Sequence, residues 1–134
     1  MRNYEFSKNQ DRLTSNDFLR LVNKVWPGDY DITKTQQALE RTFNMTAWDH
    51  EQLVGCVRLL SDGYFFSTVT EILVDPEYQG KGIGAQLMEM AWEQAPSSLG
   101  FGVQAGNEAF FEKLGFKRSL TFFEKRKNRN KSHS

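Results

Sequence analysis

Apolar and polar positions alternate from Tyr4 to Ser7, which predicts a short first strand. Phe18, Leu19, Leu21, Val22 and Val25 then recur at helical spacing, and Thr14-Ser15 offers an N-cap. Asn16–Val25 is therefore predicted as an amphipathic helix. Trp26-Pro27-Gly28-Asp29-Tyr30 breaks the pattern, and a second helix is predicted over Thr33–Phe43 with Ala38, Leu39 and Phe43 on one face. Three strand-like segments follow. Met45–Asp49 turns at His50-Glu51 into Leu53–Leu60, and the Asp62-Gly63 hairpin signal leads into Tyr64–Val74. Next comes a helix over Ile83–Gln94, whose inward face is Ile83, Leu87, Met90 and Ala91. A strand at Leu99–Val103, a helix at Asn107–Leu114 closed by Gly115 and a last strand at Phe116–Lys125 complete the order β-α-α-β-β-β-α-β-α-β. Hairpins mixed with crossovers predict an α/β (α+β) fold with a mixed, largely antiparallel central sheet flanked by helices.

The length of 134 residues suits one domain, assigned to residues 1–125, followed by a polar basic tail at 126–134. Lys plus Arg number 17, as do Asp plus Glu, so no overall field draws the chain to nucleic acid or an anionic membrane. The basic run Lys125–His133 reads as a solvated end, and neither nucleic acid nor membrane is expected as a partner. Cys56 is the single cysteine and lies in the apolar run Leu53-Val54-Gly55-Cys56-Val57. No internal disulfide can form, and a buried structural thiol is expected. The N-terminus lacks the apolar core of a signal peptide, and no stretch is long and apolar enough to span a bilayer. A soluble, cytoplasmic protein is expected. No pair of His or Cys has metal-ligand spacing, so no metal is expected.

The strongest local signal is Gly80, Gly82 and Gly84 directly before the helix that begins at Ile83. Glycine inside a helix costs about 1 kcal/mol relative to alanine, so three at a helix start imply close approach to the backbone. The unpaired N–H groups and positive dipole end of a first helical turn bind phosphate, and Lys81 adds a mobile cation. A Walker loop is excluded, since Gly-Lys-Ser/Thr is absent. Gly80-Lys81-Gly82-Ile83-Gly84-Ala85 fits the loose dinucleotide pattern. However, Asp75–Gln79 separates it from the preceding strand, and Leu99–Val103 carries no acid.

Val74-Asp75-Pro76-Glu77-Tyr78-Gln79-Gly80-Lys81-Gly82-Ile83-Gly84 resembles the coenzyme A pyrophosphate loop of the GNAT superfamily of N-acetyltransferases, with its Arg/Gln-x-x-Gly-x-Gly/Ala signature. Asn107-Glu108-Ala109-Phe110-Phe111-Glu112-Lys113-Leu114-Gly115-Phe116 resembles the same family's late helix, and the element order matches over nearly the whole chain. The resemblance implies transfer of an acetyl group from acetyl-coenzyme A to a primary amine, on a small molecule or a peptide, by direct attack. It implies that the backbones of Gln79, Gly80, Lys81, Gly82, Ile83 and Gly84 hold the pyrophosphate. Ile72, Leu73 and Val74 would pair with the pantetheine arm as an added strand does, one N–H also facing the thioester oxygen. Asn107, Phe110 and Phe111 fall where the family's late helix meets that arm, although Asn107 also reads as a plain N-cap.

An ammonium acceptor must lose a proton before it attacks, and Glu71 is the candidate carboxylate for that step. The plainer readings of Glu71 are a solvated strand-face glutamate or an ion pair with Arg58 on the neighbouring strand. By resemblance the segment between the first two helices walls the acceptor pocket, so Trp26, Asp29 and Tyr30, with Asp31, are the candidate acceptor contacts. Aromatics with acids suit a cationic amine, and a packed aromatic plug is the plainer alternative. The family's late helix usually carries a tyrosine, thought to protonate the departing thiolate, where this chain has Phe111. A thiol of pKa about 8.5 leaves tolerably without such help, but the departure also motivates an acyl-coenzyme A binding or sensing module without turnover. Many relatives end in two C-terminal strands. Here either the final strand is absent or a second subunit supplies it, and the second option implies a homodimer.

Overall fold

The structure is a computed structural model in which residues 3–8, 12–96, 98–101, 108–119 and 123–127 are described. It comprises two compact units, Met1–Phe101 and Gly102–Ser134. In the first, strands β1 (Glu5–Lys8), β2 (Phe43–Asp49), β3 (Gln52–Ser61) and β4 (Ser67–Val74) form one sheet in that order, each neighbouring pair antiparallel. Helices α1 (Ser15–Val25) and α2 (Ile32–Glu40) connect β1 to β2, and α3 (Ile83–Gln94) follows β4. Local chemistry starts α1 and α2 each one residue before its expected beginning. Thr14 Oγ1 accepts the Asp17 N–H at 3.1 Å, and Asp31 Oδ1 accepts the Lys34 N–H at 2.8 Å.

The sheet is covered on both faces. Cys56 of β3 and its β4 partner Leu73 join Phe18, Leu21 and Val22 of α1, Leu39 of α2 and Trp48 in one buried cluster. The adjacent Gly55 faces the other way: a Cβ there would stand 2.9 Å from Ile83 Cγ2 and 3.0 Å from Leu87 Cδ1. Successive strand residues point to opposite faces, so α1 and α2 lie on one side and α3 on the other. This explains why Leu53–Val57 is apolar without alternation, since every one of these residues is buried. Gly55→Ala should overpack the α3 face and lower stability by about 1–2 kcal/mol, read as a lower urea midpoint. An unchanged midpoint would mean that α3 shifts to accept the methyl group freely.

Burial pushes the Cys56 thiol up to about 12, with the charge of Glu71 adding to the rise and Arg58 opposing it. The sulfur stays protonated and unreactive at neutral pH, as a structural thiol should.

Several boundaries differ from the sequence expectation. Helix α2 stops at Glu40 and Phe43 opens β2, because nearby side chains take over its terminal carbonyls. Asn44, fully buried, donates to Leu39 O at 2.9 Å, and Thr42 Oγ1 donates to Asn44 Oδ1 at 2.7 Å. Tyr64–Phe66, expected as the start of a strand, is an exposed loop. Asp62 Oδ1 accepts the N–H groups of Tyr64, Phe65 and Phe66 at 2.9, 2.8 and 3.1 Å, which withdraws them from any ladder until Ser67. Of the expected strand Leu99–Val103, Gly100 makes one parallel bridge to Thr68, while 102 and 103 lie outside the described residues. Residues 116–119 and 123–125 of the expected last strand are in no strand, and 120–122 lie outside the described residues. Among the described residues no helix is long and apolar enough to cross a membrane.

The second unit contains α4 (Glu108–Lys113). Gly115, at φ +91°, ends it in a Schellman arrangement, with Gly115 N–H on Glu112 O and Phe116 N–H on Phe111 O, both at 3.1 Å.

Candidate active site

Strand β4 carries the first half of the site. At its start the Val69 N–H points outward to Gly100 O at 2.9 Å, whereas just past its end the Asp75 N–H points inward to Val54 O at 2.8 Å. Strict alternation over six residues would leave both on the same side. The register resolves this: Arg58 pairs with Glu71 and Leu59 with Val69, so Thr70 is an extra, bulged residue in β4. Beyond the bulge the backbones of Glu71 and Leu73 face β3, while those of Ile72 and Val74 face away from it. Among the described residues, no strand covers that outer edge beyond the Thr68–Gly100 bridge. Of the three expected backbone partners, Ile72 and Val74 thus turn their amides to the uncovered edge, and Leu73, fully buried, contributes packing. The bulge itself escaped sequence reading, because Val69-Thr70-Glu71 alternates as any paired strand would.

The glycine loop carries the second half. Asp75, only 1% exposed, ties its root to three elements. Its Oδ2 accepts from Lys24 Nζ of α1 at 2.7 Å and from Gln52 Nε2 of β3 at 3.4 Å. Its Oδ1 accepts the Glu77 N–H at 3.0 Å, capping a 3₁₀ turn at Pro76–Tyr78. Tyr78 closes the turn by donating to Asp49 Oδ2 at 2.6 Å, and Gln79 Nε2 reaches back to Val74 O at 3.3 Å. Gly80 and Gly82 then adopt φ of +79° and +85°, the left-handed region that favours glycine. No atom lies within 4 Å of where a Cβ would stand at either position, so the backbone is open to close approach. Gly82 is the N-cap of α3 and supplies no side-chain acceptor to the first-turn N–H groups. Ile83 is buried in the core and pins this turn, while Gly84 sits in it and Lys81 is exposed at the rim. These features fit a pyrophosphate: open donors, a positive helix end and a nearby cation.

Burial alone would raise the Asp75 carboxyl, but the Lys24 ammonium, the Glu77 N–H and the Gln52 amide outweigh it and hold it below its ordinary 3.8. A depressed folded-state value means the pair stabilises fully above the ordinary carboxylate range and ceases to as pH falls through the folded value. Asp75→Asn should therefore cost about 1–2 kcal/mol at pH 7, and the gap to wild type should close as pH falls through the lowered folded-state value. Urea midpoints across pH check this, and a gap that persists in acid would assign the loss to packing instead.

Glu71 lies beside the bulge on the α1 face. Its Oε1 accepts the Arg58 Nε–H, so the ion pair anticipated among the plainer readings is formed, and Arg58 also stacks over the Phe18 ring with its Cζ 5.5 Å from the centroid. Neither observation removes Glu71 from chemistry, since its second oxygen has no donor among the described residues.

Between α1 and α2 the expected acceptor residues divide. Trp26 is half exposed and Asp29 is exposed. Tyr30 packs on the buried cluster and donates to Trp26 O at 2.8 Å, which matches the plug reading, and Asp31 is spent as the α2 cap. In the second unit Phe110 and Phe111 meet edge-on at 4.9 Å, and Phe111 meets Phe116 at 6.5 Å. Asn107 lies outside the described residues. Among the described residues no cluster of His, Cys, Asp and Glu is placed to hold a metal.

The chain is similar to known proteins in sequence and in fold. GCN5-related N-acetyltransferase 2, chloroplastic, of Arabidopsis thaliana is 49% identical over 39 residues, 29% of this chain and 15% of that protein. The chain spans 15–34% of the length of three such curated relatives. A GNAT family acetyltransferase from Streptococcus pneumoniae superposes with a TM-score of 0.74 at 24% identity, covering 93% of this chain and all of that one. An aminoglycoside N-acetyltransferase, AAC(6')-Iy, solved in complex with CoA superposes with a TM-score of 0.72 at 15% identity, covering 94% and 97% of the two chains. The model of the acetyltransferase (GNAT) domain matches residues 41–118, from the end of α2 past the glycine loop to the end of the late-helix motif, and the chain belongs to that family.

Proposed function

We propose that the protein transfers an acetyl group from acetyl-coenzyme A to a primary amine by direct attack within a ternary complex. The observation that carries this reading is the continuity of donors. The outward amides of Ile72 and Val74 lead straight into a loop whose Gly80 and Gly82 leave the first turn of α3 open. An extended arm ending in a pyrophosphate matches that sequence of sites, its amides adding to a free sheet edge and its phosphates meeting a helix N-terminus. The family membership and the CoA complex of a solved neighbour support the same cosubstrate.

In this reading the chain's residues act by placement. The Ile72 N–H, next to the bulge, polarises the thioester carbonyl as negative charge develops on its oxygen. Glu71 accepts the proton that the acceptor ammonium must lose, directly or through water, leaving a neutral nitrogen to attack the carbonyl carbon. A C–N bond forms, the C–S bond breaks, the thiolate leaves with the electron pair, and the nitrogen gives up its remaining surplus proton to solvent. The buried, protonated Cys56 excludes itself as an acyl carrier. A lone buried thiol also suits a reducing compartment such as the cytoplasm.

Phe111, within an aromatic set with Phe110 and Phe116, offers no proton to the thiolate, and it favours a second reading as an acyl-coenzyme A binding or sensing module. Thiol release from acetyl-coenzyme A with pooled amines and peptides, with product mass checked, separates the two. Acetylated product establishes the transferase. Cofactor binding without product from any pool supports the sensing module.

A further inference from the structure

We propose that the Arg58–Glu71 pair recognises an acceptor whose amine carries an anionic group a few bonds away, such as a free amino acid or an aminoalkyl phosphate. The inference deepens the proposed function and rests on Glu71 facing the acceptor. Both side chains are mostly buried, 17% and 19% exposed. Arg58 spends Nε on Glu71 Oε1 and lays its plane over Phe18, and its Nη donors meet no protein acceptor among the described residues. Glu71 in turn uses Oε1 toward Arg58 and Thr70, leaving Oε2 without a protein donor among the described residues. A guanidinium fork and a carboxylate oxygen thus stand side by side on neighbouring strands, paired to each other through Nε and Oε1 and with their remaining polar atoms unpaired among the described residues.

This arrangement is the complement of an ammonium next to an anion. The ammonium meets Glu71 Oε2, where its proton is wanted, and the anion meets the planar Nη fork, which suits carboxylate and phosphate alike. The pair is neutral as a whole, so it attracts neither polycations nor lone anions from a distance. A matched amide leaves the fork unpaired, and a polyamine brings a second positive charge against the guanidinium. Charge placement within the acceptor, rather than its net charge, decides binding.

The experiment is calorimetric binding to the full chain with coenzyme A present, using the common amino acids singly, aminoethyl phosphate, the corresponding amino-acid amides and spermidine. At least one carboxylate or phosphate amine is expected to bind on the order of 100-fold more tightly than its uncharged counterpart. Whether amino acids or aminoethyl phosphate show the gap identifies the anion. Arg58→Met should erase the gap, Arg58→Lys should retain part of it, and both should keep wild-type coenzyme A affinity as evidence of folding. Equal or tighter binding of amides or spermidine, no binding by any anionic amine, or a gap that survives Arg58→Met overturns the proposal. A full gap in binding with no acetylated product would instead sink the transferase reading and leave the Arg58 assignment standing.

Discussion

Gly82→Val is expected to weaken binding of acetyl-coenzyme A by on the order of 100-fold while the sheet and helices persist. Two effects combine. A β-branched residue at φ +85° is strained, since only glycine occupies that region freely. The N-cap would relax toward negative φ and rotate the first-turn N–H groups of α3 away from their common focus. The added side chain would also project into space that is open in the native loop. Each charge-assisted hydrogen bond to phosphate contributes more than a neutral one, so misaiming two or three suffices for the loss. Because no atom crowds the position, the strain remains local, and far-ultraviolet circular dichroism should be unchanged. Calorimetric titration gives the affinity. Wild-type affinity in a folded Gly82→Val protein would remove the loop from the binding site.

Glu71→Gln is expected to lower kcat by about 10²–10⁴ with cofactor affinity intact. Glutamine can keep a hydrogen bond to Arg58 through its carbonyl oxygen, so the substitution removes the proton acceptor more than the contact. The defect should shrink as pH rises toward the acceptor's own pKa, about 10 for an alkylamine, because more of the amine is then already neutral. A role limited to supporting Arg58 predicts something else: a lowered thermal midpoint, with a loss of rate that does not depend on pH. The kcat profile across pH therefore decides between proton acceptance and support.

Local signals in the chain were legible and held. Thr14 caps its helix through a bond within three residues, Gly115 ends α4 through its own backbone angle, and α3 spans the range its periodicity indicated. The glycine loop was readable for the same reason: left-handed φ at Gly80 and Gly82 is a property of residue type, felt before any tertiary contact exists. The cysteine's apolar neighbours likewise foretold a buried thiol. Where local chemistry competed with pattern, pattern lost. Asp62 captured the amides of Tyr64–Phe66, and Asn44 with Thr42 closed α2 before Phe43.

What required the tertiary structure is the placement of donors and charges across strands. Alternation along β4 cannot reveal that Thr70 is bulged, because a bulge is defined by the partner strand's register. That single extra residue is what turns the Ile72 and Val74 amides outward. Nor could the sequence choose between Glu71 as a solvated side chain and Glu71 joined to Arg58, residues 13 apart in the chain that meet only through the β3–β4 pairing. The bond between Lys24 and Asp75, 51 residues apart, was likewise beyond reach. Backbone angles and caps are decided within a few residues and so are written in the chain. Register and the pairing of distant charges are decided by which surfaces bury together, and only the folded molecule contains that information.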